Sequence, residues 1–184
     1  MMNDLFNNII KYNSPTKKFE FNDIENYIHN YKIMHPNIYD FGLIFSSIIF
    51  LDNILCFIFG KKAQWFQLHC FVNILVTIDI MPTIIDLFTD PNTGYKLLLN
   101  NNASFYVICL HFYHVLIFKN LGFYDYFHHI LFIGLGVVPS IKYITNNQLY
   151  LGYLACCGIP GVFEYGSLAL YKNNKITLYT QKHI

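Results

Sequence analysis

The chain has 184 residues, 54% of them hydrophobic and only 12% charged, about half the charged share of an ordinary soluble domain. Its net charge of +1 comes without a basic block, which removes the electrostatic footprint that nucleic-acid binding requires. With a mean hydropathy of +0.35, the composition predicts an all-α polytopic transmembrane bundle of about five to six membrane helices around a polar interior cavity.

Residues 1–38 are polar, with four Lys balanced by Asp4, Glu20, Asp23 and Glu25. No basic stretch precedes an apolar core here, so no cleavable signal peptide is expected. Within the segment, Ile24, Tyr27, Ile28 and Tyr31 recur at helical spacing. They predict a short amphipathic helix, capped by Asn22 or Asp23 and ended by His35-Pro36-Asn37.

Five apolar segments follow. The first covers residues 39–59 and stops at Gly60-Lys61-Lys62; the second runs from Trp65 to Met81 and is expected to continue past a kink at Pro82 to Phe88. "DPNTGY" at 90–95 reads as a turn. The third spans about 103–118, the fourth about 123–138 and the fifth about 149–171, where Gly158, Pro160 and Gly161 are expected to break or kink it. Spanning takes roughly 20 residues, so the third and fourth segments are short and their polar ends must reach an interface. Residues 39–172 therefore form the membrane domain, and 173–184 a short polar tail.

All 12 basic residues are Lys. With five spans, Lys61, Lys62, Lys119, Lys172, Lys175 and Lys182 fall on one side, against Lys32, Lys96 and Lys142 on the other. The positive-inside rule then places the C-terminus in the cytosol. The five cysteines (Cys56, Cys70, Cys109, Cys156, Cys157) lie in apolar stretches without zinc-like spacing and read as buried, reduced thiols.

Ionisable groups inside apolar segments are costly and usually mark function. Asp52 and Asn53 lie in the first segment, and His69, Asn73 and Asp79 in the second; His111 and His114 lie in the third, Asp125, His128 and His129 in the fourth, and Glu164 in the fifth. Asp52-Asn53 and Asp79 read best as interhelical hydrogen-bonding groups or water-facing ends. His69 and Asn73 are four residues apart and share a face, as do His111 and His114 three apart. Asp125 precedes His128 and His129 by one turn, where a carboxylate would hold an imidazole tautomer and raise its basicity. Catalytic roles are therefore expected for His128, His129 and Asp125, with His69, Asn73, His111, His114 and Glu164 lining the cavity. No metal or cofactor is expected: neighbouring helical side chains point about 100° apart, so an adjacent His pair chelates one ion poorly unless other helices supply ligands. The blander alternative makes these histidines interfacial anchors.

The ordered pattern "WFQLHCFVN", "DP", "HFYH", "DYFHH" and an apolar C-terminal helix resembles the TLC-domain family, the lineage of ceramide synthases and translocating-chain-associated membrane proteins, over residues 39–172. Its most specific part is Asp125 with His128-His129. The resemblance implies a short member acting on or sensing lipids, and for His128 and His129 a part in acyl transfer from acyl-CoA with the pair as general base and Asp125 as orienter. Membrane lipids and acyl-CoA are the implied partners, and the endoplasmic reticulum or another internal membrane the implied location. Two other functions fit the same residues: non-enzymatic lipid binding or membrane organisation, and a small proton-coupled transporter or channel using the His and carboxylates as a relay.

Overall fold

The computed structural model describes residues 38–96, 102–118, 121–143 and 147–184. The amphipathic helix expected before residue 38 lies outside them. All regular structure among the described residues is helical.

The first apolar segment forms α1 (Ile38–Phe59), ended by Gly60. Gly60 takes φ +79°, the left-handed conformation that closes a helix at little cost when no Cβ is present, and its N–H bonds the Cys56 carbonyl at 3.0 Å. The freed Gly60 carbonyl accepts from Gln67 Nε2 at 2.8 Å. That bond ties the end of α1 to α2 (Gln64–Thr89), which runs on through Pro82 as expected. Leu68, Val72, Val76, Ile80 and Ile84 are buried along α2 at intervals of four, a single apolar stripe. A 3₁₀ turn at Pro91–Tyr95 follows, where "DPNTGY" was expected to turn. Asp90 Oδ1 accepts from the Asn92 N–H at 3.1 Å, and Asn147 holds the turn's far side through Thr93 O (3.0 Å) and Lys96 O (3.1 Å).

The third segment is α3 (Asn102–Ile117), and the fourth is a helix in three parts: α4 (Phe123–His129), a π-helical stretch (Ile130–Val137) and α5 (Val138–Tyr143). The π register is visible in the Val138 N–H, which bonds Ile133 O five residues back. The fifth segment breaks into α6 (Gln148–Cys156) and α7 (Ile159–Lys172). Pro160 sits in the first turn of α7, where an absent amide hydrogen leaves no bond unmade. A short α8 (Leu178–Lys182) packs on α7.

Among the described residues three helices are long and apolar enough to cross a membrane, α1, α2 and the joined α6–α7 run Gln148–Lys172, fewer than the five to six expected. The reasons are local. α3 has 16 residues, and the fourth segment is divided into pieces of 7, 8 and 6. α3 packs against α1, α2 and the π stretch, yet Phe112, Val115, Leu116 and Ile117 along its C-terminal half stay exposed, so its length and not its composition sets it apart.

α2 is the hub. Its most extensive partner is α7, and it also touches α1, α3 and α6. The α2–α7 seam is built from small residues: Gly161 lies against Asn73, and Gly166 against Cys70 Sγ. Outward faces carry large apolar side chains, among them Phe50, Phe57, Ile78, Phe88 and Leu135. An apolar exterior around polar interior contacts is the arrangement lipid demands.

Three polar contacts knit the interior. Asp52, 3% exposed, accepts from Tyr113 OH at 2.7 Å and from Gln64 Nε2 at 2.6 Å, joining α1, α2 and α3. Asp79 accepts from the Asn102 side chain and the Ala103 N–H at the start of α3, where a helix dipole favours negative charge. Tyr153 OH donates to Ser104 Oγ at 2.7 Å, linking α6 to α3. Asp52 and Asp79 are thus interhelical hydrogen-bonding groups, whereas Asn53 faces outward and bonds its own helix at Ile49 O. All five cysteines are free; Cys109 and Cys157 are buried, Cys56 and Cys70 partly so, and Cys156, expected inside, is exposed.

Candidate functional site

Five histidines from α2, α3 and α4 come together with one tryptophan and one tyrosine. The sequence places them there by spacing. Trp65 and His69 are one turn apart on α2, and His111 and His114 one turn apart on α3. His128 and His129 close α4, immediately before the π stretch, an irregularity frequent at functional sites. His69, His111, His114 and His129 are each at most 8% exposed, while His128 is exposed.

Their rings pack face and edge. The Trp65 indole stacks on His114 (3.3 Å between centroids, 23°) and meets the edge of His69 at 3.7 Å. His69 is also stacked on Tyr165 of α7 at 4.2 Å. His111 lies between His69 (5.3 Å), His129 (5.0 Å) and His128 (5.8 Å). His128 stacks on Phe132 at 5.5 Å. The expected polar cavity is therefore a packed column of aromatic and imidazole rings, because flat rings fill the space between three helices by stacking. A cleft of about 210 Å³ lies elsewhere, between α2 and α7, with an almost wholly apolar lining that includes Ile74, Ile78 and Phe163.

Two hydrogen bonds set the ring nitrogens. His129 Nε2 lies 2.8 Å from His114 Nδ1. His111 Nδ1 lies 2.7 Å from the Val107 carbonyl. A carbonyl only accepts, so His111 Nδ1 carries the hydrogen and Nε2 keeps its lone pair. His129 Nδ1 and His69 Nε2 are buried without a partner, a costly condition that asks for an explanation.

Of the residues expected at the site, His69, His111, His114, His128 and His129 converge. Asn73 is buried one turn from His69 but faces Gly161 rather than the imidazoles. Two of the expected residues have other immediate surroundings. Asp125 is exposed, and its Oδ2 accepts from the Gly122 N–H at 2.8 Å, so it serves the first turn of α4 and the orienting contact to His129 comes from His114. Glu164 is exposed on the outside of α7: the inward face there runs through Gly161, Tyr165 and Ala169, and Glu164 lies about a quarter turn off it. Trp65 and Tyr165 were not anticipated. Trp65 could have been found, as the residue four before His69.

The adjacent His pair is joined by a third imidazole from another helix, the condition under which such a pair could share one ion. His111, His128 and His129 each offer one ring nitrogen, and these three atoms all lie within 4.8 Å of one another. The pair converges because α3 supplies a third imidazole facing both. Compared with protein-family models, curated proteins and solved structures, the chain gives no significant match to any.

Proposed function

We propose that this chain is an integral membrane protein of TLC-like type that acts on or senses lipids, with His128 and His129 as its reactive pair. The observation that carries the reading is the position of His128, the one exposed member of a buried imidazole column, flanked by the exposed apolar side chains Phe127 and Leu131. A lipid held against that surface would present its polar end to an imidazole and its chain to the apolar face.

For acyl transfer, His128 would take the proton of an attacking amine or hydroxyl as its lone pair closes on the thioester carbonyl of an acyl-CoA. The C–S bond then breaks, and the imidazolium returns the proton to the departing thiolate, giving amide or ester and free thiol. His129, held by His114, would fix the neighbouring ring. On this reading α3 and the α4–π–α5 run also cross the bilayer, giving five spans in an internal membrane such as the endoplasmic reticulum with a cytosolic C-terminus.

A second reading, non-enzymatic lipid binding, is favoured by the apolar cleft between α2 and α7, whose lining suits an alkyl segment. A proton-coupled channel is less well supported, since packed rings leave little room for a file of water. Lipidomics of membranes expressing the wild type, beside His128→Ala/His129→Ala at matched expression, tests the proposal. A lipid change that the double substitution abolishes supports chemistry at the pair. A change that survives it leaves lipid binding ahead.

A further inference from the structure

We propose that His111, His128 and His129 form a binding site for a divalent transition-metal ion of the zinc type. Three imidazoles with one position left open is a common donor set for such an ion. Their ligand atoms already lie within 4.8 Å of one another. Tetrahedral coordination with Zn–N of about 2.0–2.1 Å brings donors to roughly 3.3 Å apart, so the rings must close by at most about 1.5 Å.

The nitrogens are prepared for this. Metal-bound histidines generally donate their second ring N–H to a fixed acceptor, which sets the tautomer. His111 does so to the Val107 carbonyl at 2.7 Å, leaving Nε2 with a lone pair. His129 has its counterpart in His114: with Nε2–H donating to His114 Nδ1 at 2.8 Å, the lone pair falls on Nδ1. That atom is buried and has no hydrogen-bond partner, in a residue only 8% exposed. A metal ion explains why a buried acceptor is left unmade. His128, exposed, closes the set from the outside, so the open position faces the surrounding medium.

This inference stands apart from the lipid reading. An ion on His128 takes the lone pair a general base would use, so metal occupancy and base catalysis by His128 exclude each other. His114 is a positioning residue: it touches no metal and acts by holding His129.

The test uses the full-length protein purified in detergent, stripped with a chelator and titrated with Co(II), read by the visible absorption of four-coordinate cobalt, then displaced with Zn(II). One cobalt per chain with the tetrahedral spectrum is expected. His111→Ala, His128→Ala and His129→Ala should each weaken binding by at least about tenfold, and His114→Ala by about 10- to 100-fold, with partial recovery in His114→Asn. His183→Ala, on the exposed C-terminal helix end, should bind as wild type. His128 is exposed, so its variant keeps the core intact even if a buried substitution prevents folding. Failure of the wild type to give the tetrahedral spectrum, or wild-type affinity in folded His128→Ala, overturns the site. Neither result depends on whether lipid composition changes.

Discussion

His114 and His129 meet Nδ1 to Nε2 at 2.8 Å, a buried bond joining the last turn of α3 to the last turn of α4. Only one hydrogen can lie between these two nitrogens, so each ring fixes the tautomer of the other. His114→Phe retains a ring for Trp65 to stack on but leaves His129 Nε2 buried without a partner, at a cost of about 1–3 kcal/mol. His114→Asn keeps a polar partner within reach and should cost less. Thermal unfolding of the two variants in detergent decides this; equal destabilisation would show that stacking alone matters.

Asp125 and His114 make opposite predictions for the lipid-directed activity. The Asp125 carboxylate is engaged with the Gly122 N–H, so Asp125→Ala removes a cap worth no more than about 1 kcal/mol and leaves His129 in place. Any lipid change dependent on His128 and His129 should survive Asp125→Ala and be lost in His114→Ala. Loss in the Asp125 variant at normal folded yield would restore the carboxylate as orienter.

The difference between these residues also marks how far the sequence could be read. The apolar runs announce α1, α2, α3 and the α6–α7 break, because Gly60, "DPNTGY" and Gly158-Ile159-Pro160 interrupt them by backbone rules that act locally. The i, i+3 and i, i+4 spacings correctly put His69, His111 and His114 on inward faces. Asp125 had two partners within one turn, the imidazoles ahead and the uncapped amide behind, and spacing cannot choose between them. The contact between His114 and His129 depends on how α3 and α4 are rotated, and the π stretch shifts that rotation with no periodic signature. Glu164 misled because a lone carboxylate in an apolar helix suggests an interior role, whereas the neighbouring small residues had already claimed the inward face.

Asp52 is the point where three helices are joined, accepting from Tyr113 and Gln64 through the same oxygen. Asp52→Ala strands two donors in a region the bundle closes off, and a destabilisation of about 1–3 kcal/mol is expected. Asp52→Asn keeps an acceptor oxygen and should fall in between, consistent with the modest worth of single hydrogen bonds inside membrane bundles. Tyr113→Phe combined with Asp52→Ala should be less than additive. Fully additive losses in chemical unfolding would mean the two groups are not coupled.

Gly161 and Gly152 provide matched tests of the packing. A Cβ on Gly152 meets nothing within 4 Å, so Gly152→Ala should stabilise by up to about 1 kcal/mol through helix propensity alone. A Cβ on Gly161 runs into the Asn73 side chain, itself buried at the α2–α7 seam. Asn73 has little room to withdraw, so overpacking of about 1–3 kcal/mol should outweigh the propensity gain and make Gly161→Ala destabilising. Adding Asn73→Ala removes the obstructing amide and should recover most of that loss, a coupling between the two sites that a thermal-unfolding cycle measures directly. If the double variant is no more stable than additivity requires, the close approach of α2 and α7 at this point is wrong.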